Sequence, residues 1–184
     1  MNFDYAGYDL AFIQKRPCRD GSAHLYTLVF KFFSPITRYF YILHADYHRA
    51  DVFAIKFYCK KDRHSEYKYS KAVNKGDVGN VLITCLKVIA LLLQEYPTAS
   101  FGFIGSRALD PVSRKLESYI NNQRFRTYAY IIARKVGTRT FAHRTYEHVS
   151  AYILLNRNGA DLVAKEAAIV EMFKSTYNNV HDIA

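Results

Sequence analysis

Residues 74–125 decide the fold, and they fall into four pieces: the Gly-bearing loop NKGDVG (74–79), the apolar run NVLITCLKVIALLLQEY (80–96), the short ASFGFIGSR (99–107) and DPVSRKLESYINNQRF (110–125). The apolar run carries Lys87 as its only charge before its last turn, so a helix over 80–96 must be covered on nearly every side and becomes the central helix of a domain. Pro97 stops it. Residues 100–104 then read as a short strand interrupted by Gly102. Asp110 followed by Pro111 has the chemistry of a helix start: a carboxylate accepts from first-turn amides and the proline ring fixes the next φ. Val112, Leu116, Tyr119 and Ile120 share one face of a helix running to Phe125.

Outward from this segment, the N-terminal side holds three aromatic, β-branched runs at 25–33, 37–43 and 52–59, separated by SPIT and by HADYHRAD. Their length and turn-forming spacers predict an antiparallel meander, with a weaker strand signal near 8–14. In the third run Phe53, Ile55 and Phe57 share a face by the period of two. On the C-terminal side, Tyr128, Tyr130 and Ile132 alternate with smaller residues and predict a strand over 126–134. Two more strands are expected at 139–145 and 148–155, and a last helix from Asp161 with Val163, Ala167, Val170 and Phe173 on its core face. The expectation is a single α+β domain over 1–184, in which a mixed, largely antiparallel sheet packs around a buried central helix.

The chain has 184 residues, half of them hydrophobic, with 16 Tyr and 13 Phe but no Trp, which excludes disorder as a description of the whole. Three cysteines, Cys18, Cys59 and Cys85, have neither an even count nor metal-like spacing, so no disulfide framework is expected. The N-terminus lacks a basic region followed by a long apolar stretch, and residues 81–93 are too few to cross a bilayer. A cytoplasmic protein with no membrane partner is the expectation. Net charge is +10 and unevenly placed. Residues 107–144 hold nine Lys/Arg against two acids, and residues 56–75 hold seven against two. Such a field favours anionic partners.

Two turns have the makings of an anion site. Gly105, Ser106 and Arg107 lie between a strand and a helix start, where backbone amides, a hydroxyl and a guanidinium can converge, with Arg114 and Lys115 adding charge. Gly76-Asp77-Val78-Gly79 opens the apolar helix and presents amides likewise. The order strand, Gly-containing loop, helix, strand, helix, strand, strand across 52–155 resembles the C-terminal half of the acyl-CoA N-acyltransferases of the GNAT superfamily. In that family a Gln/Arg-x-x-Gly-x-Gly/Ala loop holds the CoA pyrophosphate. Here Gly79 matches, while Asn74 and Asp77 stand where the family has Gln/Arg and the first Gly. The resemblance implies CoA as cofactor, Gly76 and Gly79 on its pyrophosphate, and Tyr119, followed by Asn121, Asn122 and Phe125, as a general acid.

Histidine adds little. His143, Glu147 and His148 lack the helical spacing of a metal motif, and His44 and His48 flank the HADYH turn, so surface or structural roles are expected for all of them. For nucleic acid, cations interleave with rings at Arg124, Arg126, Tyr128, Tyr130, Arg134, Arg139 and Arg144, where cations meet phosphate and exposed rings meet bases. The competing reading of the same stretch is an amphipathic sheet, rings inward and cations outward. The first expectation for function is a polyanion- or nucleic-acid-binding protein of a bacterial regulatory or defence system. The alternatives are a divergent GNAT-like protein binding acyl-CoA and a homodimeric interaction module.

Overall fold

The computed structural model describes residues 4–71, 76–108, 115–158 and 161–177. Strands β1 (Ala11–Pro17), β2 (His24–Ser34), β3 (Tyr39–His48) and β4 (Val52–Cys59) form an antiparallel meander. Helix α1 (Val78–Glu95) crosses over to β5 (Ser100–Ile104), which lies parallel to β4. Helix α2 (Gln123–Lys135), β6 (Phe141–Tyr146), β7 (Ala151–Asn156) and α3 (Leu162–Thr176) complete the order. The result is one seven-stranded mixed sheet, β1-β2-β3-β4-β5-β7-β6, in an α+β domain. Among the described residues only the β4–β5 pair is parallel.

The period of two sorts side chains to the two faces. Leu28, Phe30 and Phe32 of β2, Tyr41, Leu43 and Ala45 of β3, and Phe53 and Ile55 of β4 point toward α1 and α2 and form the larger core with Val81, Cys85, Val88, Ile89 and Leu92. The opposite face of β4, β7 and β6 packs Val52, Ala54, Ala142, Ile153 and Leu155 against Ile169, Met172 and Phe173 of α3. Helix α1 is long and apolar enough to cross a membrane by length and composition, yet its buried stripe packs on the sheet. Lys87, Ala90 and Leu91 remain exposed, so it is not covered on nearly every side as expected.

Four further expectations are corrected. Residues 126–134 are not a strand but most of α2, because Phe125, Tyr128, Ile131 and Ile132 satisfy the helical spacing and bury against the sheet, overriding the short aromatic alternation. The Oδ1 of Asn122 accepts from the Phe125 amide at 2.9 Å and starts that helix. The helix expected over 110–125 is absent where the chain is described: residues 115–122 are irregular, with Asn121 at φ 45°. Leu116, Tyr119 and Ile120 are exposed, so the apolar face has nothing to pack on. Its expected start at Asp110 and Pro111 lies outside the described residues.

HADYH is not a turn. It ends β3, with Ala45 and Tyr47 toward the main core and His44, Asp46 and His48 on the other face. The reversal falls on Ala50 and Asp51, both at positive φ (71° and 52°), as a tight hairpin requires. On α3 the core stripe is Ile169, Met172 and Phe173. Val163 is 75% exposed, because the half-buried Leu162, one residue earlier, faces the sheet.

Candidate functional site

The turns singled out in the sequence are largely occupied by the chain itself. The Gly105 amide donates to Ser150 O at 2.8 Å and its carbonyl accepts from the Asn122 amide group. A Cβ at Gly105 would lie 2.5 Å from Asn122 Oδ1, so this glycine permits the close approach of the α2 start. Arg107 Nε donates to Glu117 O at 2.6 Å, and Ser106 lines the cavity described below. The Gly105 amide and Arg107 Nε are thus engaged within the chain. At the start of α1, Gly76 turns the chain at φ 75°, and a Cβ on Gly79 would run into the Tyr5 ring. Asp77 is buried there and accepts from Tyr8 OH and Asn80 Nδ2, each at 2.8 Å, and from the Ser34 hydroxyl. Burial, then the Asp77 hydrogen bond, raises the Tyr8 pKa. A carboxylate complementary to the helix dipole is thus built in at this end.

The arginines expected to bind nucleic acid scatter. Arg124 donates to Tyr69 O and Arg126 to Asn121 O, both from α2. Arg139 lies exposed in the turn before β6, and Arg144 is paired with Glu166 at 2.8 Å beside α3. Arg114 lies outside the described residues. Tyr119 is 47% exposed, and its carbonyl accepts from Ser150 Oγ at 2.5 Å.

Where β4 and β5 part, a small cavity opens. Their pairing ends at Ile55–Phe103, and Lys56, Phe57, Tyr58 and Cys59 continue with only β3 beside them among the described residues. Lys56, Tyr69, Cys85, Ser106, Arg124 and Tyr128 are among the lining residues. The cavity volume is about 30 Å³, room for a water molecule or two. Burial pushes the Cys85 thiol far up and Tyr128 up to about 12, so both stay protonated at neutral pH and neither is an activated nucleophile or base. Tyr69 closes the gap: its carbonyl takes Arg124 from α2, while its hydroxyl reaches His44 Nδ1 at 3.1 Å on the far side of the sheet.

That far side holds a buried polar network. Asp46 accepts from Thr27 Oγ1 at 2.6 Å and pairs with Lys56 at 2.5 Å. Burial opposes its ionisation most strongly of any single cause, and the Lys56 ammonium, the Thr27 hydrogen bond and His24 together outweigh it, leaving its pKa lowered. His44 contacts Arg16 at 3.0 Å, and His48 bridges Asp46 O and Tyr177 OH, each at 2.8 Å. Desolvation first lowers both histidines, to about 4. At His44 the Asp46 charge opposes this and the Arg16 charge adds to it, whereas at His48 the neighbouring His24 adds to it. Each ring is neutral and locked, the structural role expected from sequence. Among the described residues no group of three metal-ligating side chains occurs.

The same sheet face is different near the β2–β3 turn. Phe33 sits directly across from Phe40, and Lys31–Ile42–Tyr58 forms the next cross-strand row. Beside them runs an open groove of about 460 Å³ lined by Arg38, Tyr39, Phe40, Lys60, Lys61, Arg63 and His64. No carboxylate is among the described residues that line it. Asp62, the nearest acid in sequence, is held by Lys71 at 3.2 Å. Lys61 Nζ lies 4.4 Å from the Tyr39 ring centre, and Lys31 and Lys60 lie 5.0 and 5.9 Å from that of Phe40.

This assembly was not visible as a unit in the sequence. The excess of cations over 56–75 was, but its rings come from residues 39–40, brought alongside by the Tyr41–Cys59 pairing of β3 and β4. The chain matches no protein-family profile, and no curated protein or solved structure shows significant similarity to it.

Proposed function

We propose that this protein binds nucleic acid or another polyanion through the groove at Arg38, Tyr39, Phe40, Lys60, Lys61 and Arg63. The observation that carries the reading is four Lys/Arg side chains and two rings lining one open groove, with no carboxylate among the described residues that line it. Four like charges held together raise the local potential and favour a partner that brings its own closely spaced anions and releases counterions on binding. The arginines of α2, β6 and the turn between them contribute to the long-range field, because Arg124, Arg126 and Arg144 already make their close contacts within the chain. The test is a titration of a labelled oligonucleotide at several salt concentrations with the wild type, with Lys60→Glu/Lys61→Glu, and with Arg126→Glu/Arg139→Glu as a control of equal net charge. Loss in the groove variant alone supports the reading, and equal behaviour of the three proteins removes it.

A second reading, an acyl-CoA-binding protein, is supported by the cavity where β4 and β5 part and by a helix between β5 and β6, although that helix is α2 at Gln123–Lys135 and not the 110–125 helix carrying Tyr119 on which the sequence resemblance rests. Tyr5 against Gly79 and the buried Asp77 would have to yield the start of α1 to a pyrophosphate, and the cavity would have to widen. Thermal stabilisation by CoA tests this directly, since any ligand selective for the folded state raises its melting temperature. No shift at saturating CoA removes it.

A further inference from the structure

The sheet face that adjoins the groove narrows the class of polyanion, and this step rests on the proposed function above. Phe33 and Phe40 form a cross-strand pair with ring centroids 4.9 Å apart, on the face opposite the main core, and each is 43% exposed. Ile36, in the turn that joins their strands, is 56% exposed. Single exposed apolar residues are ordinary, but a contiguous group on the face of a sheet, rimmed by charge, marks a contact surface. Helix α3 covers this face only from β4 toward β6, with Phe173 and Tyr177 reaching as far as His48 at the other end of β3. Tyr58, one row further in, is half-buried, with Lys68 Nζ 5.0 Å from its ring centre.

Charge decides what fits. Lys31 and Lys60 both approach the Phe40 ring, and Lys61 and Arg63 continue the positive rim. A second copy of the chain docking through the same patch would bring these cations against their own counterparts, so self-association is opposed. A polyanion of sugars would satisfy the cations but offers the rings no planar π-face to stack on. A base-paired duplex offers phosphates but keeps its base faces stacked inside. A single-stranded nucleic acid presents both phosphates for the lysines and free π-faces for the rings, at no unstacking cost beyond its own.

We infer that the protein binds single-stranded nucleic acid, with bases stacked on Phe40 and Phe33 and the backbone running along Lys31, Lys60 and Lys61. The chain contains no tryptophan, so a Phe40→Trp variant supplies a unique fluorophore at the site. The experiment titrates wild type, Phe40→Trp, Phe40→Ala and Phe33→Ala with oligothymidylate, a blunt duplex of equal length and heparin at one salt concentration. The expected result is preference for oligothymidylate, quenching of the introduced indole by it, and weakening by about tenfold in Phe40→Ala, with heparin affinity changed less than about twofold. Heparin and duplex binding as tightly as the single strand, with the Phe40 and Phe33 variants unaltered, would overturn this inference and leave polyanion binding standing. No measurable binding to any of the three would overturn both.

Discussion

The two ends of strand β3 present the same kind of side chain to the same face of the sheet and meet opposite fates. At its C-terminal end His48 is enclosed by Phe173 and Tyr177, with His24 stacked 5.0 Å away, and its polar atoms are hydrogen-bonded. At its N-terminal end Phe40 faces solvent beside Phe33, with Lys31 and Lys60 over its ring. Alternation alone put both residues on this face. Tertiary cover by α3 separates them, turning one end into a neutral locked network and leaving the other as an exposed, cationic, aromatic surface. The contrast assigns stability to the first and binding to the second, and each assignment can be broken.

The largest effect is expected at the covered end. Phe173 is 2% exposed and its ring fills the space where a Cβ on Gly102 would lie 2.8 Å away. Phe173→Ala should cost about 3–5 kcal/mol in urea unfolding, as for other buried phenylalanines. A loss below about 1 kcal/mol would show that α3 does not seal this end.

Acid should attack the same end. His44 and His48 have folded pKa values near 4, below the ordinary value near 6.5, so the unfolded state takes up protons first as pH falls. The stability these neutral rings contribute is therefore complete above about pH 6.5 and is lost as pH drops toward 4. Between pH 7 and pH 5 the loss should be of order 2 kcal/mol for His48, with His44 acting in the same direction, read as a falling melting temperature. His48→Gln should flatten that decline. An unchanged melting temperature across this window would mean the rings are solvated.

Smaller effects belong to the open end. Lys60→Glu/Lys61→Glu should weaken oligonucleotide binding by tenfold or more, about 1.4 kcal/mol, without lowering the melting temperature. Smallest of all, Phe40→Ala should change unfolding free energy by about 1 kcal/mol or less, the contribution of a half-exposed cross-strand ring pair. A loss as large as that of Phe173→Ala would merge the two ends into one core and remove the basis for the binding surface.

Elements whose periodicity agrees with their tertiary cover were legible in the sequence. β4 at Val52–Cys59 and β5 at Ser100–Ile104 have the expected bounds, α1 differs by one or two residues at its ends, and α3 starts one residue after the expected Asp161. Failure followed competing periods: Tyr128, Tyr130 and Ile132 alternate like a strand, while the burial of Phe125, Ile131 and Ile132 requires a helix. Asn122 ahead of Phe125 is the local cue for that helix, and it equally fits the helix end that the family resemblance implies. HADYH has a turn-like composition, but Leu43, Ala45 and Tyr47 carry the core face straight through it. The candidate site was less legible because no window contains it. Its rings lie at 33, 39 and 40 and its cations at 31, 38, 60, 61 and 63, and strand pairing brings these segments together. The stretch over 107–144 has the larger charge excess, yet its arginines spread over α2, β6 and the turn between them, and Arg124, Arg126 and Arg144 are spent on carbonyls and Glu166.

The most direct test of the central claim is the salt dependence of oligonucleotide binding by fluorescence anisotropy, wild type beside Lys60→Glu/Lys61→Glu. With roughly three to five phosphates neutralised, the plot of log affinity against log salt should fall with a slope of about −2 to −3.5 in the wild type and about one to two less steeply in the variant. A slope near zero, or identical slopes and affinities for the two proteins, would contradict the account.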